Sequence, residues 1–402
     1  MRSNVSSRPR CHKHESLKIK EDAMLISYRN DLKPIADLAQ SFAARELAGK
    51  TEEHDRYPFG EFYDHVLDKA HEVGFLGAIL PDSLGGIGGD IGTLCVILQN
   101  ICQVDGSLGG IIFTNALSQE IMLTAGATDL AGEIFPKATS PKEFLVAFPS
   151  YTDPAQTDTL PKAVGSGRNF TLTGRLEFLV MGNLARQAII PARTGNGPSY
   201  SFFLVDVSAN GVEKSDPIFS LGLHACPAID ITLQKVRARL VGNENGGHAV
   251  FEKASLKMNV AAAAMNAGIM KGSFNEALAY SRERFQGGRA IANWSELSMV
   301  LAGMSIKADV AEMCIAQACL GLAKSLDGGG SQYISSSIHI HELACEAVND
   351  GIQILGGYGY MKDYGQEKRF RDSRMLQALL GPGPMKKLAM IRRIVETGAK
   401  NI

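Results

Sequence analysis

The spacing of apolar residues changes twice along this chain, and this change constrains the fold more than any other feature. From residue 25 to about residue 140, apolar residues recur three or four positions apart, as Leu32, Ile35, Leu38 and Phe42 do. Such spacing places them on one face of a helix. Residues 25–140 are therefore predicted to form an N-terminal helical domain.

The middle of the chain has a different pattern. Between turns, β-branched and aromatic residues alternate with polar ones, in the segments FLVAF, NFTLTG, QAIIPA, YSFFLVDV and AIDITLQKV. A period of two, interrupted by turn residues, is typical of short strands. We predict that residues 141–245 form an antiparallel β-barrel or β-sandwich.

The helical period returns in the last third of the chain. Apolar residues at helical spacing occupy 261–284, 296–324 and 338–355, and these segments are long enough for the helices of an antiparallel bundle. A chain of 402 residues also exceeds what one hydrophobic core can serve. The predicted fold is an α+β multidomain architecture that ends in a four-helix bundle over residues 246–402.

Charge and terminal sequence exclude several classes of protein. The formal net charge is −1 with both signs interspersed, so no basic surface for nucleic acid is predicted. Residues 1–24 are polar and lack the apolar segment of a secretory signal; we interpret them as a disordered extension. The longest apolar run, Val260–Met270, is too short for a membrane span. We expect a cytoplasmic protein.

The cysteines form an odd set of seven without CxxC spacing. This pattern favours reduced thiols, and no metal site is predicted from it. The seven are Cys11, Cys95, Cys102, Cys226, Cys314, Cys319 and Cys345.

Two motifs in the C-terminal third are specific. The segment GIQILGGYGYMKDYGQEKRFRDSRMLQ covers residues 351–377, and YSRERFQGGR covers residues 280–289. The first resembles the Q-x-L-G-G-x-G-[FY] and E-[KR]-x-[FYM]-R-D elements of the acyl-CoA dehydrogenase family, and the second its Y-x-x-x-R-x-x-F-G-x element. Residues 74–90 and 103–110 are weaker matches. On these residues the chain is identified as a member of that family over nearly all of residues 25–402.

The resemblance implies an FAD cofactor between the β domain and the bundle, with its pyrophosphate end touched by a neighbouring subunit. By position, Arg284, Gln353, Gly356 and Gly357 would hold that end. Arginine offers a planar fork to phosphate oxygens, and glycine lets backbone N–H groups approach closely. The alternative is that Arg284 pairs with a surface carboxylate and that the glycines only end a helix.

The part of the flavin site on the β domain departs from the family pattern. Thr152 matches the start of the family's T-E-P-x-A-G-S-D turn and is carried over as cofactor-binding, although the turn YTDPAQTD is one residue short and lacks the glycine. The family's W-I-T-N-G strand reads FLVMG over residues 178–182. Phe178 can still stack on the flavin ring, whereas Val180 replaces a hydroxyl. A flavin edge without that donor loses about 1–3 kcal/mol of binding free energy for each hydrogen bond that is not made. The resemblance therefore leaves FAD occupancy open.

The family's catalytic base is a glutamate, which takes the α-proton while a hydride leaves to the flavin. The residue at its usual position here is Leu380, so no catalytic residue is assigned. Some members carry the glutamate at the start of the first bundle helix, where this chain has Met258 followed by Asn259. Glu252 would serve only if that alignment were displaced by more than a helical turn.

The implied function is redox chemistry at the CH–CH bond of an acyl-CoA thioester, with electron-transferring flavoprotein or a similar acceptor as partner. The resemblance also implies a homo-oligomer or a hetero-oligomer with a related chain, and the replacement of the base by Leu380 favours a chain that works with a partner subunit. Catalysis without the glutamate, including the reductive direction, stays open. The proton would then come from water or from one of the polar residues in matching segments, which are Asp153, Asp158, Glu177 and Tyr360.

Three further hypotheses stay open. The chain is a non-catalytic subunit of a heteromeric acyl-CoA dehydrogenase, lending Arg284, Gln353 and Gly357 to a partner's flavin. It is a flavin monooxygenase of the same fold, which needs no α-proton base. Or it is a structural protein, for instance a homotetramer, that assembles through the alanine-rich face of residues 260–268.

Overall fold

The computed structural model describes residues 32–150, 159–195, 197–323 and 330–397. Its N-terminal part is helical, as predicted. The helices there are α1 (Lys33–Phe42), α2 (Thr51–His54), α3 (Asp68–Glu72), α4 (Ile91–Cys102), α5 (Gly106–Thr124), α6 (Thr128–Ile134) and α7 (Pro141–Phe144). Asp90 starts α4 through a capping box with Thr93, and the Asp105 carboxylate accepts from the Leu108 N–H at the start of α5.

The β domain is built on a closed ring of strands. The strands are β1 (Val146–Pro149), β2 (Lys162–Ser166), β3 (Asn169–Val180), β4 (Gln187–Ala192), β5 (Ser201–Asp206), β6 (Val212–Lys214) and β7 (Ala228–Val241). Pairing runs from β3 through β1, β4, β5 and β7 back to β3, with β2 and β6 at the sides. The barrel is confirmed, but it is not antiparallel throughout, because β1 and β4 run parallel. Such a pair arises when other elements, here β2 and β3, lie between the two strands in the sequence.

The C-terminal helices form a bundle, as predicted. Its helices are α8 (Gly247–Glu283), α9 (Ser295–Ala323), α10 (Gly330–Leu355), α11 (Gln366–Leu376) and α12 (Gly383–Thr397). The first three pack against one another, and α11 and α12 pack on α10. The helix α8 begins at Gly247, well before the predicted residue 261. The prediction missed its first turns because their polar residues hide the apolar spacing. A short hairpin of β8 (Phe285–Gln286) and β9 (Arg289–Ala290) follows it.

The N-terminal helices and the bundle share one core. The helix α8 packs along α4 and α5, and its alanine-rich segment 260–268 is buried. A Cβ at Gly268 would lie 2.4 Å from the Gln99 carbonyl oxygen, and one at Gly272 would lie 2.1 Å from that of Gln103. Glycine is required for this close approach. The alanine-rich face therefore packs within the chain itself.

Two properties of the chain concern its environment. Among the described residues, no helix is both long enough and apolar enough to cross a membrane. The cysteines that the structure describes are free thiols, and most of them are buried. Cys11 and the predicted extension of residues 1–24 lie outside the described residues.

Candidate functional site

Four of the predicted flavin-binding residues lie at one end of the bundle. Arg284 directly follows α8, and its backbone N–H donates to the Tyr280 carbonyl at 2.9 Å. The Tyr280 ring packs against that of Tyr358, with 6.2 Å between the ring centroids. Because Tyr358 follows Gly357, this contact brings the end of α8 to the glycine pair. Gln353 lies on the last turn of α10, next to them in sequence.

The groups at this end of the bundle are open to solvent. The side chains of Arg284 and Gln353 are exposed, and Gly356 has a left-handed φ of +58°. Within the described residues, no other atom lies within 4 Å of a Cβ built at Gly356, and at Gly357 only the Tyr360 side chain does, at 3.5 Å. A large anion can approach the backbone here, so the bundle end fits the pyrophosphate of a flavin cofactor.

Phe178 and Val180 lie near the end of β3, at a break in its pairing with β7. The register shifts between Leu176 and Leu179, and Phe178 and Met181 have left-handed backbones, with φ of +55° and +62°. The Phe178 side chain is 47% exposed, whereas Val180 is partly buried. The phenyl ring is available for stacking on a flavin, but valine offers that flavin no hydrogen bond.

Of the other polar candidates, Glu177 and Tyr360 lie among the described residues. Thr152, Asp153 and Asp158 lie outside the described residues. Glu177 and Tyr360 are exposed, and the Glu177 carboxylate lies 3.5 Å from the Arg175 guanidinium. Catalytic acids and bases usually stand in enclosed clefts, and neither of these two exposed residues does.

The turn between α11 and α12 holds Leu380 in an unusual conformation. The helix α11 ends at Leu376, α12 begins at Gly383, and Leu380 between them has a φ of +55°. A bulky side chain rarely adopts this left-handed backbone, which costs free energy. Leu380 is partly buried and packs, with Leu379, against the main core. An apolar side chain is thus held under strain at the position where the resemblance expects a carboxylate.

The second place for a base lies on α8 and is also without one. Met258 and Asn259 are buried there. The Asn259 side-chain amide donates to the Ser255 carbonyl at 2.8 Å. Glu252, less than two turns earlier, is exposed. Neither of the two buried residues at this position can accept a proton.

A buried cluster of charges, not foreseen from the sequence, holds α2, α5 and α11 together. Lys368 on α11 is 4% exposed. Its Nζ lies 2.7 Å from Asp372 Oδ2, 3.3 Å from Asp105 Oδ2 and 3.9 Å from Asp55 Oδ1. Burial alone lowers the pKa of this lysine, but the three carboxylates outweigh burial and raise the pKa above its ordinary value.

The same cluster reaches the β domain through the loop before β7. His224 Nδ1 lies 3.1 Å from Asp55 Oδ2, which also accepts from Arg371 at 2.8 Å. The Leu223 N–H donates to Asp372 at 2.7 Å. A cleft of about 460 Å³ opens above these charges. In the sequence, the run EKRFRD over residues 367–372 matches a family motif and gives no sign that its charges are buried.

A second buried polar cluster lies between α8, α10 and α12. The Asn266 amide contacts His341 Nδ1, and His341 Nε2 lies 3.1 Å from Ser337 Oγ. Burial and then the charge of Lys386 lower the pKa of His341 well below its ordinary value. Lys386 is 5% exposed, and its Nζ has no hydrogen-bond partner among the residues that the structure describes. Burial lowers the pKa of this lysine to about 8.

Comparison with known proteins agrees with this architecture. The N-terminal domain of acyl-CoA dehydrogenases matches residues 30–142, and their C-terminal domain matches residues 245–395. A subunit of the caffeyl-CoA reductase-Etf complex of Acetobacterium woodii, CarC, is 28% identical over 371 residues, 89% of this chain and 96% of that protein.

Solved structures share the fold. Butyryl-CoA dehydrogenase from Megasphaera elsdenii superimposes with a TM-score of 0.82 at 19% identity, over 91% of this chain and 98% of that one. An acyl-CoA dehydrogenase complexed with FAD from Bacillus anthracis gives a TM-score of 0.80 at 22% identity, over 93% of this chain and 69% of that one. With both family domains matched in order around a common β domain, the chain belongs to the acyl-CoA dehydrogenase family of FAD-binding oxidoreductases.

Proposed function

We propose that this chain is an FAD-dependent oxidoreductase acting on the carbon–carbon bond beside the thioester carbonyl of an acyl-CoA, in an assembly with a second, related chain. Membership of the family supports the reaction class. The observation that carries the need for a second chain is the contrast between two parts of the site. The bundle end offers Arg284 and an open glycine pair, whereas the turn that should bear the base bears Leu380.

The described residues fit FAD, except at Val180. When bound, the flavin supplies the site that takes or gives the hydride. The Arg284 guanidinium offers its fork to the pyrophosphate, and Gly356 and Gly357 leave room for phosphate oxygens to approach the backbone. The exposed Phe178 ring offers a flat apolar face to the flavin ring.

Among the described residues, no proton acceptor stands at either position where the resemblance expects the base. Oxidation of a saturated thioester requires a base within hydrogen-bond reach of Cα. Leu380 is apolar, and Met258 and Asn259 on α8 cannot take a proton. Reduction of an unsaturated thioester requires instead a proton delivered to Cα, which water can supply. The similarity to a reductase subunit that works in an Etf complex favours this direction, with electron-transferring flavoprotein as the electron partner.

A second candidate is a non-catalytic subunit that completes the flavin site of a partner. The exposure of Arg284, Gln353 and Gly357 favours it, because these groups point away from the chain's own core. Here the partner supplies the base and this chain supplies the pyrophosphate-binding end. The two candidates differ in whether flavin bound to this chain itself exchanges electrons with a thioester.

The visible absorption spectrum of the purified chain tests the proposal first. We expect partial flavin occupancy alone and full occupancy after co-expression with a family member that has the glutamate. Bleaching of the flavin by a saturated acyl-CoA, or its reoxidation by an α,β-unsaturated acyl-CoA, then separates the two candidates. Full occupancy and rapid thioester oxidation by this chain alone would contradict the need for a partner.

A gain-of-function variant tests the position of Leu380. Leu380→Glu places a carboxylate where the resemblance puts the base, and we expect faster exchange of the α-proton of acyl-CoA into deuterated water. The matched control is Leu379→Glu, because Leu379 packs against the same core and is also partly buried. Equal exchange rates in the two variants would show that Leu380 does not occupy the base position.

A further inference from the structure

The end of β3 breaks the alternation that the rest of the strand obeys. Phe170, Leu172 and Leu176 are buried, and a strict period of two would bury Phe178 as well. Instead the register with β7 shifts after Leu176, so that Leu179 is buried and Phe178 turns outward. A β-bulge of this kind redirects one side chain and is common beside functional sites.

The bulge forces an unfavourable backbone on Phe178. Its φ of +55° lies in the left-handed region, which bulky residues avoid. A protein that only needed stability would bury this aromatic ring or use glycine in its place. Strain of this kind persists only where the surroundings fix the conformation.

Asp230 on β7 fixes it. Its Oδ1 accepts a hydrogen bond from the Phe178 N–H at 3.1 Å, and its Oδ2 accepts one from Arg175 at 2.7 Å. The Asp230 backbone N–H donates to Ser215 Oγ at 2.9 Å, and the Ser215 N–H donates to the Asp230 carbonyl, also at 2.9 Å. Both carboxylate oxygens of Asp230 therefore accept hydrogen bonds, and Ser215 fixes its backbone. One of these oxygens binds the backbone amide of the strained Phe178.

The charge on Asp230 is maintained by the same contacts. Burial disfavours its ionised form, but the hydrogen bonds from Arg175 and the Phe178 N–H outweigh burial and hold the pKa below its ordinary value. Hydrogen bonds to an ionised acceptor are about twice as strong as neutral ones. An ionised Asp230 is thus a firm anchor for the bulge at neutral pH.

We infer that Asp230 is the positioning residue of the flavin site: it holds the backbone of Phe178 so that the phenyl ring faces the place of the isoalloxazine. This inference rests on the proposed function, because Phe178 is assigned to the flavin by resemblance. It adds a residue that the sequence did not single out, and it explains why a strained aromatic residue stands exposed at this point.

The test compares Asp230→Ala and Asp230→Asn with the control Glu213→Ala. Glu213 is an exposed carboxylate on β6, a neighbour of β7, and its carboxylate accepts a hydrogen bond from Gln234 at 2.8 Å. FAD is titrated into each protein, followed by the visible absorption band. We expect the dissociation constant to rise about tenfold in Asp230→Ala, the loss of one charge-assisted hydrogen bond. Asp230→Asn, which keeps an acceptor for the Phe178 N–H, is expected to lose less, and the control about nothing.

A second readout does not need the flavin. Amide hydrogen exchange at Phe178 should accelerate in Asp230→Ala, return towards the wild-type rate in Asp230→Asn, and stay unchanged in Glu213→Ala. Faster exchange with an unaltered FAD dissociation constant and absorption band would overturn the inference and leave the proposed function standing. If the wild-type chain takes up no FAD, alone or with a related chain, the proposed function fails and the inference fails with it.

Discussion

Two buried lysines stand on either side of the turn that carries Leu380, and their surroundings are opposite. Lys368 on α11 lies within 4 Å of three carboxylates, Asp372, Asp105 and Asp55. Lys386 on α12 is buried to the same degree, but among the described residues its Nζ has no hydrogen-bond partner. Burial is therefore not what distinguishes them; the difference lies in the partners.

The difference in partners shifts the pKa values of the two lysines in opposite directions. The pKa of Lys368 is raised, since its carboxylates outweigh burial, and the pKa of Lys386 is lowered to about 8 by burial alone. The helix α12 also exposes apolar side chains on its outer face, and these are Met385, Leu388, Ile391 and Val395. The buried amine has no hydrogen-bond partner among the described residues, and apolar side chains of the same helix face solvent. Both features make the packing of α12 on the rest of the chain less favourable. The turn with Leu380 is thus anchored firmly on the α11 side and weakly on the α12 side.

The largest effect is expected from Lys368→Met. Methionine matches the volume of lysine but leaves Asp105 and Asp372 buried without their cation, and removing one partner of a buried pair costs about 3–5 kcal/mol. The buried carboxylates should then have raised pKa values in the folded state. They keep their protons at pH values where the unfolded chain has already lost them, so the folded state binds more protons than the unfolded state. The free energy of unfolding should fall with rising pH. Urea unfolding at several pH values measures both effects.

The matched control for this variant is Lys362→Met. Lys362 lines the same cleft from an exposed position, so its replacement should change the free energy of unfolding by well under about 1 kcal/mol. A similar loss in both variants would mean that the three carboxylates are not held by Lys368.

The opposite sign is expected for Lys386→Met. A pKa lowered from an ordinary 10.5 to about 8 corresponds to about 3 kcal/mol of destabilisation at neutral pH. The variant should be more stable by up to that amount. The wild-type protein should gain stability as pH rises from about 8 to 10.5, because the unfolded chain binds the proton more tightly in that window, and the variant should lack this gain.

Thermal unfolding of Lys386→Met and Lys387→Met, across that pH range, checks this prediction. Lys387 is the neighbouring exposed lysine, which pairs with Glu342 at 2.8 Å, and its replacement should have little effect. If Lys386→Met is less stable than the wild-type protein at neutral pH, the amine has a partner that stabilises it, and the contrast between the two lysines is lost.

The same two lysines show how far the sequence could predict the molecule. The order of helices, strands and helices follows from local spacing, and the motifs around Arg284 and Gly356 give the family, because both signals are local. Whether a charged residue is buried depends on distant residues: Lys368 meets Asp55 just after α2 and Asp105 just before α5, which no local pattern shows. The bulge at Phe178 escapes prediction for the same reason, since it depends on Asp230 in another strand.

The smallest effect is expected at His224, where the charge cluster reaches the β domain. Asp55 raises the pKa of His224, first through their hydrogen bond. Arg371 and Lys368 face the same carboxylate, so His224 is one of three cations on it. A raised histidine pKa means that the stabilisation is complete below about pH 6.5 and is lost as pH rises through the folded-state pKa. His224→Gln should therefore lower the free energy of unfolding by about 1 kcal/mol near pH 5.5 and by almost nothing near pH 8.5. Urea unfolding at the two pH values decides the point, because a loss that does not change with pH would come from packing and not from the charge on His224.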